Sequence, residues 1–172
     1  CTLVCNGEIY NYKELIDEYD LSNDYTSGGS DCEIVIHLFR KIGMEETLKR
    51  LDGVFALTLV DHDNNATYVG RDPFGIRSLF YGSEQGFAAD ITFASELKSM
   101  EHCMGHYTKQ FPSGCYGIYE LGALAIRPYY SALTPAFHTD PTMEQYAPYN
   151  YAFQTVEEDS EENICANIKT LL

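Results

Sequence analysis

One stretch near the middle of the chain limits its architecture more than any other: Val54-Phe-Ala-Leu-Thr-Leu-Val60. A strand with one wet face alternates apolar and polar residues, and this one is apolar almost throughout. Both of its faces must be covered, so the sheet that holds it needs packed layers above and below. The turn Asp61-His-Asp-Asn-Asn65 and the run Ala66-Thr-Tyr-Val69 follow, completing a β-hairpin. At 172 residues the chain is long enough to bury such a core in one domain with a tail.

Helical spacing dominates before that hairpin. The chain opens on a short apolar strand, Thr2 to Cys5, that the pattern ends at a turn, Asn6-Gly7-Glu8. Tyr12 to Tyr19 reads as a helix capped by Asn11, with Glu14 as its capping-box partner. Leu21 to Gly29 is a polar loop. Ser30-Asp31-Cys32-Glu33 then opens the clearest helix, a Ser-x-x-Glu box ahead of the apolar stripe Ile34, Val35, Leu38, Phe39 and Ile42. Gly43 ends that helix, and a second short one runs from Met44 to Leu51. After the hairpin come a loop from Gly70 to Gly75 and a strand from Ser78 to Tyr81. Another strand lies within Gly86 to Ala94, followed by a short turn or helix from Ser95 to Met100. A last strand pair, Cys115 to Glu120 and Ala123 to Arg127, is joined by Leu121-Gly122. Helices in an early block and antiparallel strands afterwards define an α+β chain.

Charge excludes some partners. Eleven Lys and Arg stand against 26 Asp and Glu, which argues against nucleic acid and against an anionic membrane surface. No run of eighteen apolar residues is present to span a membrane. The six cysteines form no Cys-x-x-Cys pair and no zinc-like spacing with the histidines, so no metal site is expected. Their apolar and helical settings suit reduced thiols and a cytoplasmic location. Beginning on a strand without a Met, the chain is expected to be preceded by further sequence. Residues 1–130 are expected to form the folded domain and residues 131–159, rich in Tyr and Pro and acidic, a linker. Residues 160–172, with Ile164, Ile168, Leu171 and Leu172, read as the first turns of another domain's helix.

Asn6-Gly7-Glu8 also carries chemistry. An Asn side chain offers an N–H donor and Gly lets its backbone N–H approach closely, so the pair suits an oxyanion. Glu8 suits an ammonium group. Taken alone, the tripeptide fits an ordinary strand-ending turn better than a binding site. Five further motifs occur after it in order: Ser30-Asp-Cys-Glu33, Leu51-Asp-Gly-Val-Phe-Ala56, Gly70-Arg-Asp-Pro-Phe-Gly75, Phe93-Ala-Ser-Glu-Leu-Lys98 and Phe111-Pro-Ser-Gly114. Together with Cys5-Asn-Gly-Glu-Ile-Tyr-Asn11, the set resembles the glutaminase domain of glutamine-hydrolysing asparagine synthetases. Those are class II, N-terminal-nucleophile glutamine amidotransferases, and the resemblance runs from about Thr2 to Tyr130.

The resemblance implies an αββα four-layer sandwich, here incomplete at its N-terminus. It implies that Asn6 and Gly7 form an oxyanion hole for the attacked amide of glutamine, and that Glu8 and Asp31 hold the α-amino group. Arg71 and Asp72 are expected to hold the fold, with no catalytic step. The family usually has Pro where this chain has Ser78. The family nucleophile, an N-terminal Cys followed by Gly and Ile, and an Arg that binds the glutamine carboxylate are expected upstream of residue 1. Cys1 is a poor substitute: an extended Thr2 to Cys5 puts it about 16 Å from Asn6, where attack needs about 3 Å. Cys5 adjoins the hole but has no free amine, and is expected to be a core residue. On this reading the 172 residues alone are inactive on glutamine. The implied reaction releases ammonia, which a synthetase domain of the same polypeptide, using ATP and Mg²⁺, transfers to activated aspartate in asparagine biosynthesis. A homodimer of the full enzyme is a further expectation. Two alternatives stay open: an amidotransferase with another acceptor, and a non-catalytic glutamine-binding module.

Overall fold

The computed structural model describes residues 1–25, 29–88, 90–103 and 107–130. The linker expected over residues 131–159 and the lead-in helix expected over 160–172 lie outside them. Two antiparallel sheets organise the described residues. The larger contains β1 (Thr2–Ile9), β2 (Gly53–Asp61), β3 (Ala66–Arg71), β7 (Cys115–Glu120) and β8 (Ala123–Pro128), in the order β1-β2-β3-β7-β8. The smaller contains β4 (Phe80–Ser83), β5 (Thr92–Ala94) and β6 (Tyr107–Gln110), in the order β5-β4-β6.

The both-faces-buried strand takes the place its composition demands. Phe55, Leu57 and Leu59 of β2 face a core shared with α1 (Tyr12–Glu18) and α2 (Ile34–Arg50), where Leu15, Ile34, Val35, Leu38 and Leu48 are buried. Ala56, on the opposite face, belongs to a second core with Val69, Leu79, Tyr81 and Phe111, between the two sheets. Each large aliphatic side chain buried in this way contributes about 1.5–3 kcal/mol. A helical layer and two sheets are thus stacked in that order, three of the four expected layers among the described residues. The hairpins β2–β3 and β7–β8 form where turn residues separate apolar runs, with Asp61 opposite Ala66 and Glu120 opposite Ala123 at their closed ends.

Several local expectations change. β1 does not stop at Cys5: it stays paired with β2 through Ile9, with Asn6 opposite Ala56, Gly7 opposite Phe55 and Glu8 opposite Val54. Gly7 is required for close approach, because a Cβ there would stand 2.2 Å from the Val54 carbonyl oxygen and 2.7 Å from the Phe55 Cα. Asn11 sits at the N-terminus of α1 without capping it through its side chain. Its Nδ2 donates to the Arg50 carbonyl at 2.8 Å and its Oδ1 accepts from the Asp52 N–H at 3.0 Å, tying α1 to the segment entering β2. Ser30 does cap, accepting from the Cys32 N–H at 3.3 Å, but the first turn, Asp31–Glu33, is 3-10. At Gly43, with φ +79°, the helical path breaks as expected, and α2 continues beyond the kink. The strand expected within Gly86 to Ala94 shrinks to β5, and β6 was unforeseen.

Candidate functional site

In an antiparallel strand each residue's N–H and C=O point to the same edge, and successive residues alternate edges. Along β1 the even residues face β2, and the Tyr10 N–H extends that ladder by donating to the Asp52 carbonyl at 2.7 Å. The odd residues face outward. The Ile9 N–H donates to Asp31 Oδ2 at 2.6 Å, and the Gly7 carbonyl accepts from the Cys32 thiol at 3.7 Å. The Gly7 N–H therefore points to the same outer edge, toward the 3-10 turn that carries Asp31.

Side chains complete this corner. Asn6 and Glu8 share one face of β1, the face on which Ala56 contributes to the inter-sheet core, and both are exposed. Asp31 is half-buried; its Oδ1 also accepts from the Ser30 hydroxyl at 3.1 Å. A carboxylate has about four acceptor positions, so it retains capacity for a ligand ammonium. Tyr25 braces the turn from outside, its hydroxyl donating to the Ser30 carbonyl at 2.6 Å. Burial pushes that phenol up to about 12, so it stays a donor at every ordinary pH.

The fold thus brings Asn6, Gly7, Glu8 and Asp31 to one edge of one sheet, with two carboxylates and an outward-pointing N–H. Arg77 joins them, its Nη2 standing 3.9 Å from Glu8 Oε1. Both side chains are substantially exposed, so the pair contributes orientation more than stability. Motif reading could not find Arg77 here, because its nearness to Glu8 follows only from how the loop before β4 returns to β1. That loop rests on Arg71 and Asp72, 4% and 1% exposed. Arg71 donates to the carbonyls of Arg77 (2.8 Å), Phe111 (2.6 Å) and Gly75 (2.8 Å). Asp72 accepts from the N–H groups of Phe55 (3.3 Å), Phe74 (3.1 Å), Ile76 (2.9 Å) and Arg77 (3.0 Å). Both charges are spent on backbone groups, which is the fold-holding part expected of them.

Cys1 lies at the other end of β1, its thiol 3.9 Å from Asp61 Oδ1. Cys5 is half-buried and packs against the helix-side core, as a core residue should. Among the described residues no cluster of His, Cys, Asp and Glu could hold a metal ion. No described helix is long and apolar enough to cross a membrane.

Comparison with known proteins bears on the family and on the fold. A family model described as glutamine amidotransferase domain matches residues 1–112. A protein of Acanthamoeba polyphaga mimivirus named probable asparagine synthetase (glutamine-hydrolyzing) is 41% identical over 115 residues, covering 66% of this chain and 20% of that protein. The asparagine synthetase (glutamine-hydrolyzing) of Bos taurus is 38% identical over 122 residues, covering 69% of this chain and 21% of its own length. The chain spans about a fifth of the curated relatives it matches. Among solved structures, the glutamine phosphoribosylpyrophosphate amidotransferase of B. subtilis superposes with a TM-score of 0.60 at 22% identity, over 76% of this chain and 29% of that one. This likeness shows a shared fold.

Proposed function

Since the chain belongs to the glutamine amidotransferase domain family, we propose that it is the glutaminase part of an asparagine synthetase and that Asn6, Gly7, Glu8 and Asp31 form part of its glutamine site. The observation that carries this reading is the outward Gly7 N–H, set between the Asn6 side chain and the Asp31 turn. Attack on the side-chain amide of glutamine moves negative charge onto the carbonyl oxygen. The Asn6 Nδ2–H and the Gly7 N–H would meet that charge as donors fixed before the reaction begins. Glu8 and Asp31 would accept from the α-ammonium group at the other end of the substrate.

The nucleophile in this reading is a cysteine upstream of residue 1, forming a thioester with the glutamyl group. Ammonia so released would pass to a synthetase domain of the same polypeptide, which uses ATP and Mg²⁺ to activate aspartate. Among the described residues no cluster of His, Cys, Asp and Glu could hold the Mg²⁺. A second copy of the full enzyme and a cytoplasmic location complete the proposal.

Asp31 gives the test, carried out on the full-length protein. Asp31→Asn keeps an oxygen to accept from the Ile9 N–H while removing the charge that would face an ammonium. The KM for glutamine should rise by about 10–100-fold, the worth of one charge-assisted hydrogen bond, with ammonia-dependent synthesis near normal. Asp31→Ala should show the same split and a lower melting temperature, because it also orphans the Ile9 N–H. Unchanged glutamine dependence in Asp31→Asn would sink the assignment.

A further inference from the structure

Among the described residues one side-chain polar atom is buried with no hydrogen-bond partner, the Arg77 Nε. It belongs to the side chain whose Nη2 stands 3.9 Å from Glu8 Oε1. A buried donor left unpaired costs stability, and an apolar side chain of similar shape would avoid that cost. The loop before β4 therefore holds an arginine at a loss, and the loss falls beside a proposed glutamine ligand.

The backbone beneath that side chain is pinned on both sides. The Arg77 N–H donates to Asp72 Oδ2 at 3.0 Å, and the Arg77 carbonyl accepts from Arg71 Nε at 2.8 Å. Asp72 and Arg71 are themselves buried, so the guanidinium projects from a fixed root. Glu8 is the opposite case. Its side chain is 62% exposed, and Arg77 is its ion-pair partner among the described residues.

We propose that Arg77 is a positioning residue for glutamine. By fixing the direction of the Glu8 carboxylate it raises the affinity for the α-ammonium group, at a cost to the stability of the fold. The proposal rests on the glutaminase reading of Glu8. Arg77 acts through that carboxylate and not on the substrate. At 3.9 Å the two groups form an ion pair and not a hydrogen bond. Glu8 thus keeps its acceptor positions, about four on a carboxylate, for the N–H groups of the ligand. Without Arg77 the exposed Glu8 side chain would have to be ordered at the moment of binding, and ordering it beforehand is how preorganisation adds affinity. Glu8 would hold the ammonium group equally well before and during attack on the distant amide. The effect therefore belongs to KM and not to kcat.

The test compares Arg77→Met, close in length and uncharged, with the parent full-length protein. The glutamine KM should rise by about three- to fivefold, the upper range for an exposed ion pair, with kcat near that of the parent. The urea midpoint should stay level or rise, because the unpaired donor is gone. Arg77→Lys keeps the charge and should recover most of the lost affinity. Glutaric acid monoamide, which is glutamine without its α-amino group, should inhibit the parent and Arg77→Met equally. In a Glu8→Gln background Arg77→Met should raise KM no further, since the two residues act as one unit. An arginine that merely held the loop would lower the urea midpoint and weaken both ligands, and that result overturns the proposal. A glutamine KM that does not rise in Arg77→Met, or that rises again in the Glu8→Gln background, overturns it as well. Failure of the glutaminase reading looks different: the parent itself then releases no glutamate from glutamine, and the proposal falls with that reading.

Discussion

Asn6→Ala is expected to reduce glutamine-dependent turnover of the full-length protein by about 10²–10³-fold, the usual cost of one oxyanion donor, while leaving the fold intact. Position 6 is exposed, and its backbone groups are already engaged with β2. Truncating such a side chain costs the fold less than about 0.5 kcal/mol, so the urea midpoint should not move. Ammonia-dependent synthesis should also be unaffected, because the donor acts only on the amide of glutamine. Gly7→Ala supplies the contrast. Its methyl group would meet backbone on β2, 2.2 Å from the Val54 oxygen, and no flexible side chain can yield. β1 must lift from β2 there, so both glutamine turnover and stability should fall. An Asn6→Ala protein that hydrolyses glutamine within threefold of the parent would remove Asn6 from the oxyanion hole.

The largest loss of stability is expected from Asp72→Ala, about 3–5 kcal/mol in equilibrium urea unfolding. Four backbone N–H groups donate to that carboxylate, and its burial leaves almost no water to replace it. The loss is comparable to the lower end of the stability of a whole domain, about 5 kcal/mol. Asp72→Asn keeps a single acceptor oxygen and should fall between the two. The same change frees Arg77, whose N–H is one of the four donors, so weaker glutamine binding should accompany it. A loss below about 1 kcal/mol would mean that water or a shifted loop satisfies those donors.

What could be read from the amino acids follows the range of the interactions involved. The covered strand at Val54 to Val60, the stripe of α2, the break at Gly43 and both late hairpins follow from local periodicity and turn chemistry. Asn6-Gly7-Glu8 reads locally as a turn but lies within a paired strand. Asn and Gly are common in turns, and only the register with β2 shows a strand that needs Gly for close approach. Asn11 was misread for a similar reason: its side chain finds Arg50 and Asp52, partners brought near by the sheet. Arg77 carries no local signal at all. It joins Glu8 across segments that only the topology places side by side.

The turn at Asp31 has a consequence for how this sheet meets other chains. β1 is an edge strand, pairing only with β2 among the described residues, and such edges recruit stray strands. Asp31 accepts from the outward Ile9 N–H and Cys32 donates to the outward Gly7 carbonyl, and together they act as a stop. An invading strand can zip along Leu3 and Cys5 but no further, a run of about 10 Å or less. That is too short to hold a foreign strand by backbone pairing alone. The residue proposed to grip a substrate therefore also caps the open side of the sheet, and a variant lacking it should be watched for aggregation as well as for lost affinity.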